Sequence, residues 1–194
     1  MAPSWSRCMT RSGNARAGFL AASMALLLLA QPVLAHDGPI AETPPAERDL
    51  WISLGARIHG GFGSLIAVGI RIGEDARQRL QAAPRELDVT YYSGKAAPCP
   101  CVSDGIMIAT YASPGQRSLR VAAESAADGE FGRAVIVHKP TGRGLEYVIP
   151  QTSAPAILAA NKGTSVERWD AIMNMPEGQI FMRRDLAAQT PKER

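Results

Sequence analysis

Hydrophobic positions change their spacing along the chain, and each spacing predicts a different element. From Ser64 to about Gln81 the isoleucines and leucines recur with a helical period, while EDARQR supplies a polar side, which predicts an amphipathic helix opened by Ser64. Gly69 and Gly73 lie about one turn apart within it. Because glycine costs about 1 kcal/mol against alanine in a helix interior, this pair indicates close backbone packing against another element.

Strict alternation from Glu86 to Ser93 predicts a half-buried strand. Thr164 and Glu167 form a capping-box pattern that predicts a last helix reaching about residue 175. Further strands are predicted over residues 118–124, 133–139, 143–149 and 179–183, and further helices over 49–57, 104–110 and 154–160. Because strands largely follow one another, with helices before and after them, the fold class is predicted to be α+β.

The first 35 residues have the pattern of an export signal. Three arginines and no acidic residue precede an apolar run of 14 residues, Ala17–Ala30, shorter than the roughly 20 that a transmembrane helix needs. Small or apolar side chains before His36 predict cleavage after Ala35 by the general secretory route, because a twin-arginine pair is absent. The protein is therefore expected to be periplasmic or secreted and free of the membrane; an uncleaved anchor is the alternative.

Removal of this segment changes the charge and the cysteine count. The whole chain carries 21 basic and 18 acidic side chains; without the three leader arginines the two balance, so no nucleic-acid surface is expected. Cys8 leaves with the signal, so Cys99 and Cys101 remain, too few for a disulfide framework. Residues 36–48 are polar and proline-rich, which predicts an irregular arm before a single domain over 49–194.

Two motifs in this domain bear on its family. The first reads HGGFGSLIAVGIRIGEDA, His59–Ala76, and the second reads CVSDGIMIATYASPGQR, Cys101–Arg117. In order and spacing they resemble the motifs of the FmdE family, the E-type subunits of formylmethanofuran dehydrogenase. The closing MPEGQIFM, Met175–Met182, is similar to the family's ending. The likeness spans about residues 50–186 and implies a mixed, mostly antiparallel sheet with helices packed on one face, in a homodimer.

The chain departs from the family pattern at several positions. Gly61 replaces a second histidine, Met107 replaces a glutamine, and Tyr111-Ala112 replaces a Gly-Cys pair. The retained motif residues are His59, Cys101, Asp104, Gly105, Ile106, Thr110 and Gly115. The resemblance implies that His and Cys from the two motifs converge on a metal, often zinc.

Three residues are the candidate metal ligands: His59, Cys101 and the neighbouring Cys99, with water or Asp104 as a fourth. Two thiolates in a C-x-C pair also suit Cu(I), so copper is an alternative to zinc, and a site without metal remains open. The pocket between the motifs is expected to be lined by Gly60, Gly61, Ser64, Asp104, Met107, Thr110 and Tyr111. Asp104 either caps a helix or orients His59.

These features favour an accessory or binding protein that holds a metal or small ligand, rather than a complete enzyme. No nucleophile elbow, phosphate loop or H-E-x-x-H motif is present. The formylmethanofuran reaction itself is not implied, because that chemistry belongs to large cytoplasmic assemblies and this chain is expected to be exported. The alternative is a thiol-redox protein or enzyme that uses Cys99 and Cys101, whose disulfide would close a small, strained ring.

Overall fold

Residues 45–188 are described by a computed structural model of the chain. The helices are α1 (Pro45–His59), α2 (Ser64–Leu80), α3 (Val102–Thr110), α4 (Ala154–Ala159), α5 (Ser165–Met173) and α6 (Glu177–Ile180), with a 3-10 turn at Gln151–Ser153. The strands are β1 (Leu87–Ser93), β2 (Leu119–Val121), β3 (Glu130–His138), β4 (Gly144–Pro150) and β5 (Met182–Leu186).

The five strands form one mixed sheet in the order β2-β1-β3-β4-β5. Only β1 and β2 pair in parallel; the other three pairings are antiparallel. Alternate residues of β1 are buried and the intervening ones half-buried, because the helices cover one face of the sheet. The predicted α+β class is confirmed, and these described residues belong to one compact unit, Pro39–Arg194.

Close packing of α2 on α3 confirms the prediction made from the helical glycines. A Cβ atom built on Gly69 would lie 2.9 Å from the Cα of Gly105, and one built on Gly73 would lie 2.6 Å from the Cβ of Ala109. Side chains at these positions would hold the two helices apart. The glycines therefore set the position of α3, and with it the position of the cysteines that precede it.

A partly buried polar link joins α2 to the sheet. The hydroxyl of Tyr147 on β4 donates to Oδ2 of Asp75 at 2.7 Å, and Arg183 donates to the same oxygen at 3.0 Å. Burial, with the Asp75 carboxylate as a further cause, raises the pKa of Tyr147 far above its usual range. The phenol therefore stays protonated as a donor that fixes the carboxylate.

Several helix and strand boundaries in the structure differ from those predicted from the sequence. The first helix begins at Pro45 rather than Asp49, since proline is tolerated in a first helical turn. Gly63, and not Ser64, is the N-cap of α2. Residues 177–180 form a helical turn instead of starting a strand, and β5 runs from Met182 because its register is set by pairing with β4.

The capping box at α5 is confirmed, with reciprocal bonds between Thr164 and Glu167. The predicted signal, residues 1–35, and positions 36–44 of the predicted arm lie outside the described residues. Within 45–188, each helix is too short or too polar to cross a bilayer.

Candidate metal centre

The imidazole of the site comes from the last residue of α1. His59 is followed by Gly60, whose φ is +86° and whose N–H donates to the carbonyl of Ala56 at 2.9 Å. Glycine adopts this left-handed conformation without the steric cost that a Cβ atom brings, so it ends the helix at His59. The side chain of His59 is thereby presented at a helix end, where it remains about a third exposed.

The sulfurs come from the turn that leads into α3. The carbonyl of Pro100 accepts the N–H of Ser103 at 2.9 Å and its hydroxyl at 2.8 Å, and the N–H of Asp104 donates to the carbonyl of Cys101 at 3.2 Å. These bonds fix the Cys-Pro-Cys turn against the first residues of the helix. Cys101 is buried and Cys99 is half-buried.

The structure brings His59, Cys99 and Cys101 together although they come from separate motifs. One imidazole nitrogen and the two sulfurs all lie within 4.8 Å of one another. Nitrogen and thiolate donors are the set that zinc and copper prefer in proteins. The chemistry of the donors therefore fits such a metal.

Asp104 lies next to this group through its contact with His59. Nδ1 of His59 donates to Oδ2 of Asp104 at 2.7 Å, across 45 residues of sequence. A carboxylate on Nδ1 orients the ring and leaves Nε2 as the free nitrogen, as in many metal sites. Asp104 was expected either to cap a helix or to orient His59. The structure has the contact with His59, while the N-cap of α3 is Cys101.

The two cysteines are joined as a disulfide in the structure. Their Cα atoms lie 5.3 Å apart and only Pro100 separates them in sequence. Disulfide sulfurs do not carry the negative charge of the thiolates that bind metals. The same two sulfurs can therefore serve as metal ligands only after reduction.

The other predicted pocket residues are spread more widely. Gly60 and Gly61 are exposed beside His59, and Met107 is half-buried on α3. Ser64 is buried in the first turn of α2, and within residues 45–188 its hydroxyl has no hydrogen-bond partner.

Thr110 and Tyr111 lie at the opposite end of α3 from Cys101. Thr110 lies nine positions after Cys101, roughly 13 Å along the helix axis. The hydroxyl of Thr110 donates to the carbonyl of Ile106 at 2.6 Å. Tyr111 adopts a left-handed φ of 59° and is 47% exposed. The structure therefore does not bring these two residues to the sulfur cluster.

Two residues that hold the His59 loop gave no signal in the sequence. Asn161 accepts the N–H of Ser64 through Oδ1 at 3.1 Å, and Arg168 donates to the carbonyl of Phe62 at 2.8 Å. Each partner is about 100 residues away in sequence, so no local motif could have identified them. They tie the loop after His59 to the region of α4 and α5.

Comparisons with known proteins place these features in a family. The family model described as FmdE, molybdenum formylmethanofuran dehydrogenase operon, matches residues 58–182. The chain is similar to a solved crystal structure of a tungsten formylmethanofuran dehydrogenase FmdE-like protein from Syntrophus aciditrophicus, with 17% identity and a TM-score of 0.49. That match covers 74% of this chain and 73% of the other. No curated protein matches the chain.

Proposed function

The chain belongs to the FmdE family, whose model matches residues 58–182, and from that premise we propose that it is an exported accessory protein that binds one metal ion. The observation that carries the proposal is the convergence of one imidazole nitrogen and two sulfurs, from His59, Cys99 and Cys101, within 4.8 Å. In the reduced protein these atoms form a three-donor set. The open fourth position takes water or a small ligand.

Each protein group has a separate part in this proposal. The two thiolates supply negative charge and soft donor atoms, which favour Zn²⁺ or Cu(I) over hard cations such as Mg²⁺. His59 supplies the third donor, with its ring held by Asp104 at 2.7 Å. When bound, such an ion can polarise or hold a small ligand at its open position. Zinc is the leading candidate and Cu(I) the second.

Metal analysis of protein purified without a histidine tag and under reducing conditions tests the proposal. We expect one zinc or copper ion per chain in the wild type, and loss of that ion in Cys101→Ser and His59→Gln. His138→Gln is the matched control, because His138 bonds to Glu86 and Thr141 instead of the cysteines. An ion that Cys101→Ser retains, or a reduced wild type that binds neither metal, contradicts the proposal.

The disulfide favours a second candidate, a thiol-redox protein that uses Cys99 and Cys101. Their sulfurs are already bonded, and one of the two cysteines is half-buried, within reach of a small thiol. A redox role alone predicts dithiol exchange with no dependence on His59. Rates of reduction and reoxidation that stay unchanged in His59→Gln, combined with no bound metal, would support this candidate over the first.

We also propose that the protein is a homodimer, formed through the outer side of α1. Leu50, Leu54 and Ile58 are exposed by 57%, 37% and 46% and repeat every four residues. A two-fold axis near Leu54 would place Leu50 of one copy opposite Ile58 of the other. The apolar stripes of the two copies would then bury each other. Light scattering should give twice the chain mass for the wild type and a lower mass for Leu54→Lys; a monomeric wild type would contradict the proposal.

A further inference from the structure

We propose that formation of the Cys99–Cys101 disulfide controls whether the metal centre can hold its ion. This inference rests on the proposed metal-binding function and adds a control to it. The two sulfurs that are bonded to each other are also two of the three donor atoms of the cluster. Metal binding and the disulfide therefore exclude each other at the same atoms.

The exchange reaction has a defined balance. A thiolate at Cys99 attacks a sulfur of a small-molecule disulfide RSSR, forms a mixed disulfide and releases one RS⁻. The thiolate of Cys101 then attacks the Cys99 sulfur and releases the second RS⁻. The two protein thiolates lose two electrons in total, and RSSR gains them. An ion at the site is left with His59 alone.

The accessibility of the two sulfurs sets the order of these steps. Cys99 is half-buried, whereas Cys101 is only 6% exposed. A small oxidant therefore reaches Cys99 first. The buried Cys101 thiolate then attacks the Cys99 sulfur and forms the disulfide. Reduction follows the reverse order, with an external thiolate attacking Cys99.

The surrounding structure suits repeated switching between the two states. The 5.3 Å between the Cα atoms lies within the range found for disulfides. The turn is held by the two bonds from Ser103 to the carbonyl of Pro100, neither of which involves a sulfur. The hydrogen bond between His59 and Asp104 does not involve the sulfurs. The third donor therefore keeps its position while the cysteines are oxidised.

The experiment uses the full mature chain. The protein is reduced, the reductant is removed under anaerobic conditions, and Zn²⁺ is then bound to the site. Oxidised glutathione is then added, while a chromogenic chelator reports released zinc and mass spectrometry reports the state of the thiols. We expect zinc to be released as the two thiolates are oxidised to the disulfide, with the loss of two electrons. After reduction, the protein should bind zinc fully again. Disulfide formation with zinc retained, or zinc release while both thiols stay free, overturns the inference.

Two variants separate this inference from the proposed function. Cys101→Ser cannot close the disulfide, so oxidised glutathione should leave only a mixed disulfide at the more accessible Cys99. His59→Gln should form the disulfide as the wild type does but bind zinc at least about tenfold more weakly. If the reduced wild type binds no zinc, both proposals fail; if it binds zinc and oxidation does not release it, only the redox control fails.

Discussion

At the scale of single residues, the proposed metal site depends on how Asp104 holds His59. The two side chains meet at 2.7 Å, and each is about a third exposed. A partly exposed side-chain contact of this kind adds little to the stability of the fold. We propose that its value lies in positioning, because a ring held within 4.8 Å of the sulfurs before binding would lose less entropy when an ion arrives.

Asp104→Asn tests that positioning role. The variant keeps an acceptor oxygen but loses the carboxylate charge, so we expect the affinity of the reduced protein for Zn²⁺ to fall by about 10–100-fold. The measurement is a competition titration against a chelator of known affinity. Asp88→Asn is the matched control, since Asp88 also sits in an ion pair, with Arg120 at 2.8 Å. Equal affinity of Asp104→Asn and the wild type for Zn²⁺ would show that Asp104 has no positioning role in metal binding.

The sequence predicted which residues converge in the His59, Cys99 and Cys101 cluster better than it predicted how they are arranged. His59 and Cys101 follow from the two family motifs, and Cys99 from its place beside Cys101. The bond between the two sulfurs does not follow from the sequence, because spacing alone does not distinguish a reduced from an oxidised pair. Asn161 and Arg168 could not be found, since their partners are about 100 residues away.

At the scale of elements, the packing of α2 against α3 places the cysteines. Gly69 and Gly105 face each other so closely that a Cβ atom on either one would lie within 2.9 Å of the other's Cα. The helical period and the two glycines of α2 were readable from the sequence because they are local signals. The start of β5 was not, because it depends on the register with β4.

Gly69→Ala should destabilise the protein. Its Cβ atom would also lie 2.9 Å from the backbone nitrogen of Ile106, and a backbone atom cannot rotate away. We expect a loss of about 1–3 kcal/mol in the free energy of unfolding, measured in urea. The control is Gly178→Ala in α6, where no atom lies within 4 Å of the new Cβ. Equal stability of Gly69→Ala and the wild type would contradict the packing argument.

The capping box of α5 predicts a pH dependence. The backbone N–H of Thr164, followed by its hydroxyl, lowers the pKa of Glu167 below its usual 4.5. Because the folded-state pKa is the lower one, the stabilisation is present above about pH 4.5 and is lost as the pH falls through the folded value. Glu167→Gln should therefore lower the melting temperature at pH 7 by more than at pH 3. A pH-independent difference would contradict this assignment.

At the scale of the whole molecule, the chain combines a family fold with an altered site. The α+β class followed from the order of the strands and helices, and the mixed sheet bears it out. The family fold explains why the two motifs meet, while the C-x-C pair gives this chain a site that can be oxidised. An oxidising compartment outside the cytoplasm is where such a pair would respond to its surroundings.

Export is tested by expressing the full chain in a Gram-negative host and sequencing the N-terminus of the protein in the periplasmic fraction. We expect His36 to be the first residue, because small or apolar side chains precede it after the apolar run. A chain that keeps Met1 and remains with the membrane would support the alternative of an uncleaved anchor. Recovery in the cytoplasm would contradict both.

We propose that one imidazole and two thiolates of the reduced protein hold a single metal ion. A crystal structure of the reduced protein grown with Zn²⁺, with diffraction recorded on both sides of the zinc absorption edge, tests this proposal. We expect one anomalous peak, about 2.0–2.1 Å from a nitrogen of His59 and about 2.3 Å from the sulfurs of Cys99 and Cys101. Reduced, separated sulfurs with no peak beside them, or a peak bound by other residues, would contradict it.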